Sequence, residues 1–530
     1  MEGTTFNGKG AGDHLMGDPR PARRSSLWWI LLLIIPCILA AEYTISPQPY
    51  FWEVKYDPSY PYLLNGLNIA NNFGPIGHVD HPGTTVQVMA AVIIKTTFCF
   101  RATRCTLSED VLAFPEYYMR IIALTFTFGN ILLILLLGLV AYRCTGEITS
   151  GVLFQSMPVM VQNSVVQHLF YFVKPEPVLF GCAMIILMVF LVWQAGTGTY
   201  GPEKVAKFGF INKTTFGIPR YVLFFSLVTG FSLATKILSF PLFFFPLLLI
   251  PKVRNKIMFS MLTLASFLVF TMPIWSIYPK FLRWVFSLFL HSGRYGKGSA
   301  DVIDRSLVSE NFIKLVQDEP YLIGMVFISI MAIMLGMIMK KRNPSIKTLA
   351  VIVFVQVLSI MLICKQYWPH YVIPVSMTVV LNLFLMAGLF SMSQRVKSSV
   401  FLIFTLACFV VNFSFHFNRS NNARPVMTEY NAVNIFSYKT ADPRSALSFG
   451  NIYARNFSTK YLKRNYGNLI LYNHWTNQFI GWSWVIDFDS LKRLNRRMIF
   501  YGPRWVIEKC GRNTDLVRLG DSSYLVVPKK

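Results

Sequence analysis

Apolar runs long enough to cross a bilayer recur along most of the chain, at residues 27–45, 117–142, 148–169, 177–193, 221–239, 240–250, 257–278, 321–339, 348–364, 371–392 and 398–415. The lipid core offers no water to a free N–H or C=O, so each such run must satisfy its own backbone, and a helix of about 20 apolar residues does so. The pattern therefore predicts an α-helical polytopic membrane protein with about eleven transmembrane helices. Composition agrees. Only 14% of the residues are charged, against roughly 25% in a typical soluble domain. The weakest division is at residue 240. The stretch 221–250 is too long for one upright helix, and Lys236 with Pro241 breaks it into two short ones.

Orientation follows from the basic residues of the short loops. Arg20, Arg23 and Arg24 precede the first run, in a polar tail spanning 1–26. Arg143, then Lys204, Lys207, Lys213 and Arg220, then Lys252, Arg254 and Lys256, then Lys340, Lys341, Arg342 and Lys347, and last Arg395 and Lys397 fall in alternate loops. With eleven spans, 27–415 forms the transmembrane domain and all these clusters face the cytoplasm. The loop 46–116 and the segment 416–530 then lie outside, in the periplasm or its equivalent. In 416–530 the short runs "RMIFY", "RWVIEK" and "SSYLVV", bounded by Gly, Pro and Asp, read as strands of a small extramembrane α/β domain. The formal charge of +25 is spread between apolar runs and this final segment, with no Arg-rich arm. That distribution argues against nucleic acid and for anionic or phosphorylated lipids as partners.

The residues that could carry chemistry gather on the external side. In "KYDPSYPYLLNGLNIANN", Tyr60, Leu63, Leu64, Leu67 and Ala70 recur at helical spacing, predicting an amphipathic helix on the membrane surface. Asp57 stands at its start, beside Pro58, where it is either a helix cap or a base. Asp80, His81 and Pro82 open a second helix about twenty residues on, and Asp80 has the same two readings. Lys236 interrupts an apolar run, a costly place for an ammonium unless it snorkels, pairs or binds an anion. Lys365, His370 and Tyr371 fall just past another run, where interfacial anchoring and phosphate binding are equally open. The basic, aromatic stretch "KFLRWVFSLFLHSGRYGKGS" reads as an interfacial helix. The eight cysteines show no metal-ligand spacing; Cys99 and Cys105 are close enough in sequence to bridge.

Taken in order, these pieces resemble the polyprenyl-phosphate-sugar-dependent glycosyltransferases of the GT-C fold, akin to protein O-mannosyltransferases and the lipid A aminoarabinose transferase. Asp57 resembles the family's acidic residue in the first external loop, and His81-Pro82 its basic-Pro element. "VKPEPVLF" with Glu176 resembles the acidic turn before the fourth helix. "GFSLATKILSFPLFFFP" with Lys236 resembles the Gly-rich helix followed by lysine, and "CKQYWPHYVIPV" with Lys365, His370 and Tyr371 the late basic segment. The resemblance runs to about residue 392. Pro58 stands where the family often has a second acid, and Gly83 replaces a second proline, which leaves the base open between Asp57 and Asp80.

The resemblance implies an inverting transfer of a sugar from a polyprenyl-phosphate donor to a lipid, glycan or protein acceptor at the external face. His81, Glu176, Lys236, Lys365, His370 and Tyr371 would bind substrate. No cofactor or metal is expected, since the departing phosphate is already an anion. The rival classes are a secondary transporter of an anionic or lipid-linked substrate and a non-catalytic lipid-binding membrane protein.

Overall fold

The computed structural model describes residues 30–45, 56–72, 82–104, 106–107, 110–111, 114–160, 172–197, 209–292, 305–339 and 343–422, and beyond them seven strands between 434 and 528. The helices in order are α1 (Leu31–Ile45), α2 (Tyr56–Ala70), α3 (Thr84–Arg101), α4 (Pro115–Thr145), α5 (Ile148–Gln155), α6 (Pro175–Gly196), α7 (Arg220–Thr235) and α8 (Pro241–Leu249). They continue with α9 (Val253–Phe270), α10 (Tyr278–Leu290), α11 (Arg305–Asp318), α12 (Pro320–Ile338), α13 (Pro344–Lys365), α14 (Ile373–Ser376), α15 (Val379–Leu389) and α16 (Gln394–Asn422).

Among the described residues, six helical segments have the length and composition to cross a membrane: α4, α6, α9, α12, α13 and the broken segment Pro369–Leu389 that holds α14 and α15. Three shorter apolar segments, Leu31–Thr44, Arg220–Thr235 and Ile237–Leu249, accompany them. Their outer faces settle the surroundings. Ile257, Met261, Leu264 and Leu268 form an exposed stripe down α9, and Phe327, Ile328, Met331, Met334, Leu335 and Ile338 another on α12. Contiguous apolar surface of that extent is stable in lipid, not in water. The chain is a helical, membrane-embedded protein. Of the run 148–169, only α5 and the 3₁₀ turn Met157–Met160 fall within the described residues.

The expected break within 221–250 is present. α7 stops at Thr235, Lys236 is extended at φ −159° and ψ 124°, a 3₁₀ turn covers Ile237–Ser239, and α8 begins with Pro241. Proline has no N–H for a continuing ladder and its ring would clash with the preceding turn, so one helix cannot run through. Small residues set the closest crossings. A Cβ on Gly230 would come within 2.5 Å of Ser266 Cβ and 2.7 Å of the Thr263 carbonyl, so α7 and α9 touch backbone to backbone there.

One expectation about α2 is overturned. Its apolar residues Leu63, Leu64, Leu67 and Ala70 are buried, packed with Val86, Ala90 and Ile94 of α3 and Tyr118 and Ile122 of α4. The apolar face therefore meets protein, not the membrane surface. Gly66 makes this possible, since a Cβ there would lie 2.9 Å from that of Ala90.

The strands beyond the helices are β3 (Asn434–Ser437), β4 (Leu469–Asn473), β5 (Gln478–Gly481), β6 (Val485–Ile486), β7 (Met498–Tyr501), β8 (Thr514–Arg518) and β9 (Ser523–Pro528); β1 (Thr214–Thr215) and β2 (Ile218–Pro219) form a separate hairpin. The seven make one antiparallel sheet in the order β6-β5-β4-β3-β7-β9-β8. Two of the expected strand runs appear as β7 and β9; "RWVIEK" lies outside the described residues, and after Asn422 the described residues are all strand. Cys99 carries a free thiol and is not bridged; Cys105 lies outside the described residues.

Candidate functional site

Proline builds the first wall of the site. Pro175 and Pro177 open α6, where missing N–H groups cost nothing, and they place Glu176 in its first turn with Lys174 just ahead. The second wall is the extended residue that ends α7. Lys236 pairs with Pro82 as an isolated antiparallel bridge, and the Gly83 N–H donates to the Thr235 carbonyl at 3.2 Å. Thr84 Oγ1 donates to the Ala234 carbonyl at 3.3 Å, and Thr85 and Thr235 join hydroxyl to hydroxyl at 2.7 Å. Gly83 is needed for this join. Its φ is +70°, and a Cβ would fall 2.7 Å from the Tyr62 hydroxyl. Proline, whose ring fixes φ near −65°, could not take this position.

The cluster these walls hold is buried and charged. Lys236 Nζ donates to Glu176 Oε1 at 2.6 Å. His370 Nε2 lies 3.7 Å from the same oxygen, and Lys174 Nζ 4.0 Å from Oε2. Lys236 Nζ also stands 4.1 Å over the ring of Tyr371, and Lys174 Nζ 4.8 Å over that of Phe172, both within range of cation–π attraction. Lys174, Glu176 and Lys236 are each at least 95% shielded, whereas the His370 side chain is 22% exposed, making it the open edge. Two ammonium groups face one carboxylate. Lys174 and His370 each make a further contact besides these.

Further along α6 is a cavity of about 380 Å³ between α4, α6, α7 and α9, which none of Lys174, Glu176, Lys236 or His370 lines. Pro177, Val178 and Gly181 line it just past Glu176, and Leu227, Val228 and Phe231 line it from α7. Asn130, its main polar contact, is already used, donating to the Pro177 carbonyl at 3.0 Å.

Glu176, Lys236, His370 and Tyr371, named from the sequence, are thus brought together. Lys365 is not with them. Its Nζ donates to the Phe289 carbonyl at 2.9 Å, tying α13 to α10. The residues between turn away through Tyr367, whose hydroxyl donates to Asp318 Oδ2 at 2.7 Å. Burial and the adjacent Asp318 carboxylate push the pKa of that hydroxyl upward and keep it protonated. α2 begins at Tyr56, so Asp57 falls at its start; its side chain lies outside the described residues, as do Asp80 and His81 altogether. Only Pro82 of their element is described, and it touches Lys236. Lys174 is a member that the sequence reading did not name, although it sits in the quoted "VKPEPVLF".

No family model, no curated protein and no solved structure matches this chain.

Proposed function

We propose that the chain is an integral membrane glycosyltransferase of GT-C type, taking a sugar from a polyprenyl-phosphate donor. The observation that supports this reading best is the buried Lys174–Glu176–Lys236–His370 cluster, which gathers two ammonium groups and an imidazole around one carboxylate with His370 at its open edge. In the proposed reaction a carboxylate, Asp57 or Asp80, removes the proton of the acceptor nucleophile. The nucleophile bonds to the anomeric carbon as the bond from that carbon to the phosphate oxygen breaks, and the polyprenyl phosphate leaves as an anion. A single displacement inverts the anomeric centre. Lys236, held by Glu176 and Tyr371, and His370 offset the charge gathering on the leaving phosphate. The polyprenyl chain runs into the cavity between α4, α6 and α7. The acceptor is a lipid, glycan or protein.

The proposal carries a topology: eleven spans within 27–415, an inside N-terminus, and the active face and the segment 416–530 outside. Cysteines placed at Ser25 and Ser522 should label from opposite sides, and labelling of both from one side would overturn it.

The test of function compares a polyprenyl phosphate with the same polyprenol lacking phosphate, each titrated into the purified protein. Lys236→Met should weaken the phosphate-bearing lipid by about 1.5–3 kcal/mol, the range for one charge-assisted contact, and leave the alcohol unaffected. Unchanged affinity would return Lys236 to a packing role. With donor and acceptor present, Asp57→Asn should lower transfer about 10²–10⁴-fold. Loss through Asp80→Asn instead would make Asp80 the base, and full transfer by both variants would end the proposal.

A further inference from the structure

Helix α10 has its residues sorted into three arcs. At 100° per residue, Phe281, Trp284 and Val285 turn inward and pack with Ile274 and Phe267; Phe281 is buried. Leu282, Phe286, Phe289 and Leu290 occupy a second arc and are exposed. Lys280, Arg283 and Ser287 share the third, and the two cations are exposed. A helix in water has one polar face and one buried face. Here two apolar arcs point in different directions, and among the described residues only one of them packs on protein.

The depth of α10 is fixed at both ends. Its N-terminus follows the spanning helix α9 through the 3₁₀ turn Met272–Ile277, and Trp275 Nε1 donates back to the Leu268 carbonyl at 2.9 Å, folding the turn onto the end of the span. Near its C-terminus the Phe289 carbonyl accepts from Lys365 at 2.9 Å, the last residue of the spanning helix α13. Both tethers are ends of membrane spans, so the helix lies at the lipid–water boundary. Its exposed apolar arc then meets acyl chains, and its cations meet the headgroup layer beside them.

We propose that α10 is a docking surface for anionic phospholipid headgroups, with Lys280 and Arg283 as their contacts and Leu282, Phe286 and Phe289 seated among the acyl chains above them. Charge selects the occupant: two cations with no carboxylate on the helix favour an anionic headgroup over a zwitterionic one. This inference stands apart from sugar transfer and holds whether or not the cluster at Glu176 is catalytic.

The experiment reads the lipid at the helix itself. The photocrosslinker p-benzoyl-phenylalanine replaces exposed Phe286, with Phe289 as a second position. The full-length protein is reconstituted in vesicles of equal parts phosphatidylglycerol and phosphatidylcholine, and mass spectrometry identifies the captured lipid. Phosphatidylglycerol should be captured severalfold more often than phosphatidylcholine, each cation contributing about fivefold at most. Lys280→Gln with Arg283→Gln should bring the ratio to that of the bilayer. Equal capture by the parent protein, a ratio unmoved by the double substitution, or crosslinks to protein in place of lipid would each overturn the proposal.

Discussion

Gln356 and Asn382 are buried as deeply in the helical domain as Glu176 and Lys236, yet the two pairs differ in charge and in closure. Gln356 Nε2 donates to Asn382 Oδ1 at 3.0 Å and to Thr378 Oγ1 at 2.9 Å. Asn382 Nδ2 donates to Gln356 Oε1 at 2.9 Å and to Ser329 Oγ at 2.8 Å. Thr378 passes its own proton to the Val375 carbonyl at 2.6 Å. Every amide hydrogen is used and both amide oxygens accept, so the ring is closed, neutral and complete. It ties α12, α13 and α15 together and has nothing to offer a ligand. The Glu176 cluster is charged and opens through His370. Buried polarity alone does not mark a site; buried charge with an open edge is what sets the cluster apart from the ring.

The comparison breaks most sharply at Glu176. Glu176→Ala leaves Lys174 and Lys236 buried without their carboxylate, and removal of one partner from a buried pair costs about 3–5 kcal/mol. Thermal unfolding in detergent measures this. A loss below 1 kcal/mol would mean that water or another group already balances the lysines, and the charge argument would fail with it. A polyprenyl phosphate should recover part of the lost stability, since its own anion replaces the missing one.

In the neutral ring the expected effect is smaller and has no functional shadow. Asn382→Leu strands the Gln356 amide and should cost about 1–2 kcal/mol, at the low end if the unfolded protein in the membrane finds substitute partners. The double variant Gln356→Leu with Asn382→Leu should recover some of it, because no amide is then left unpaired. Lipid-phosphate affinity should stay unchanged in both. A fall in affinity would show that the ring supports the site and that the two regions are not separate.

Much of this contrast was legible in the sequence, for unequal reasons. The break at Lys236 was readable because Pro241 removes a backbone donor at a fixed offset. The convergence of Glu176, Lys236, His370 and Tyr371 was not readable locally; nothing near Lys236 says that it reaches an oxygen of a glutamate 60 positions earlier, or that His370 approaches the same atom. Lys365 was misplaced because the turn through Gln366 and Trp368 changes direction, which residue types alone do not report. The face of α2 was correctly read as apolar and wrongly assigned to lipid, since a periodic stripe is the same whether it meets acyl chains or α3. Gln356 and Asn382 did carry a signal that went unused: an amide in the middle of "VIVFVQVLSI" or "VVLNLFLM" must find a partner on another helix.

The finest test concerns the join that holds Lys236 in place. Thr235 Oγ1 donates its only proton to the Phe231 carbonyl at 2.8 Å, so in the 2.7 Å contact with Thr85 it must accept and Thr85 must donate. Thr85→Val keeps the shape and removes that one donor. Thr235 keeps its bond to Phe231, so no buried donor is left unsatisfied, and the expected loss is about 0.5–1 kcal/mol. The bond is nonetheless the last side-chain tie before Lys236. If the α3–α7 join sets the position of the ammonium, Thr85→Val should weaken binding of a polyprenyl phosphate severalfold while the uncharged polyprenol binds as before. Equal weakening of both lipids would indicate a loosened cavity. No change in either would show that the salt bridge to Glu176 fixes Lys236 unaided, and that the cluster, like the neutral ring, is self-supporting.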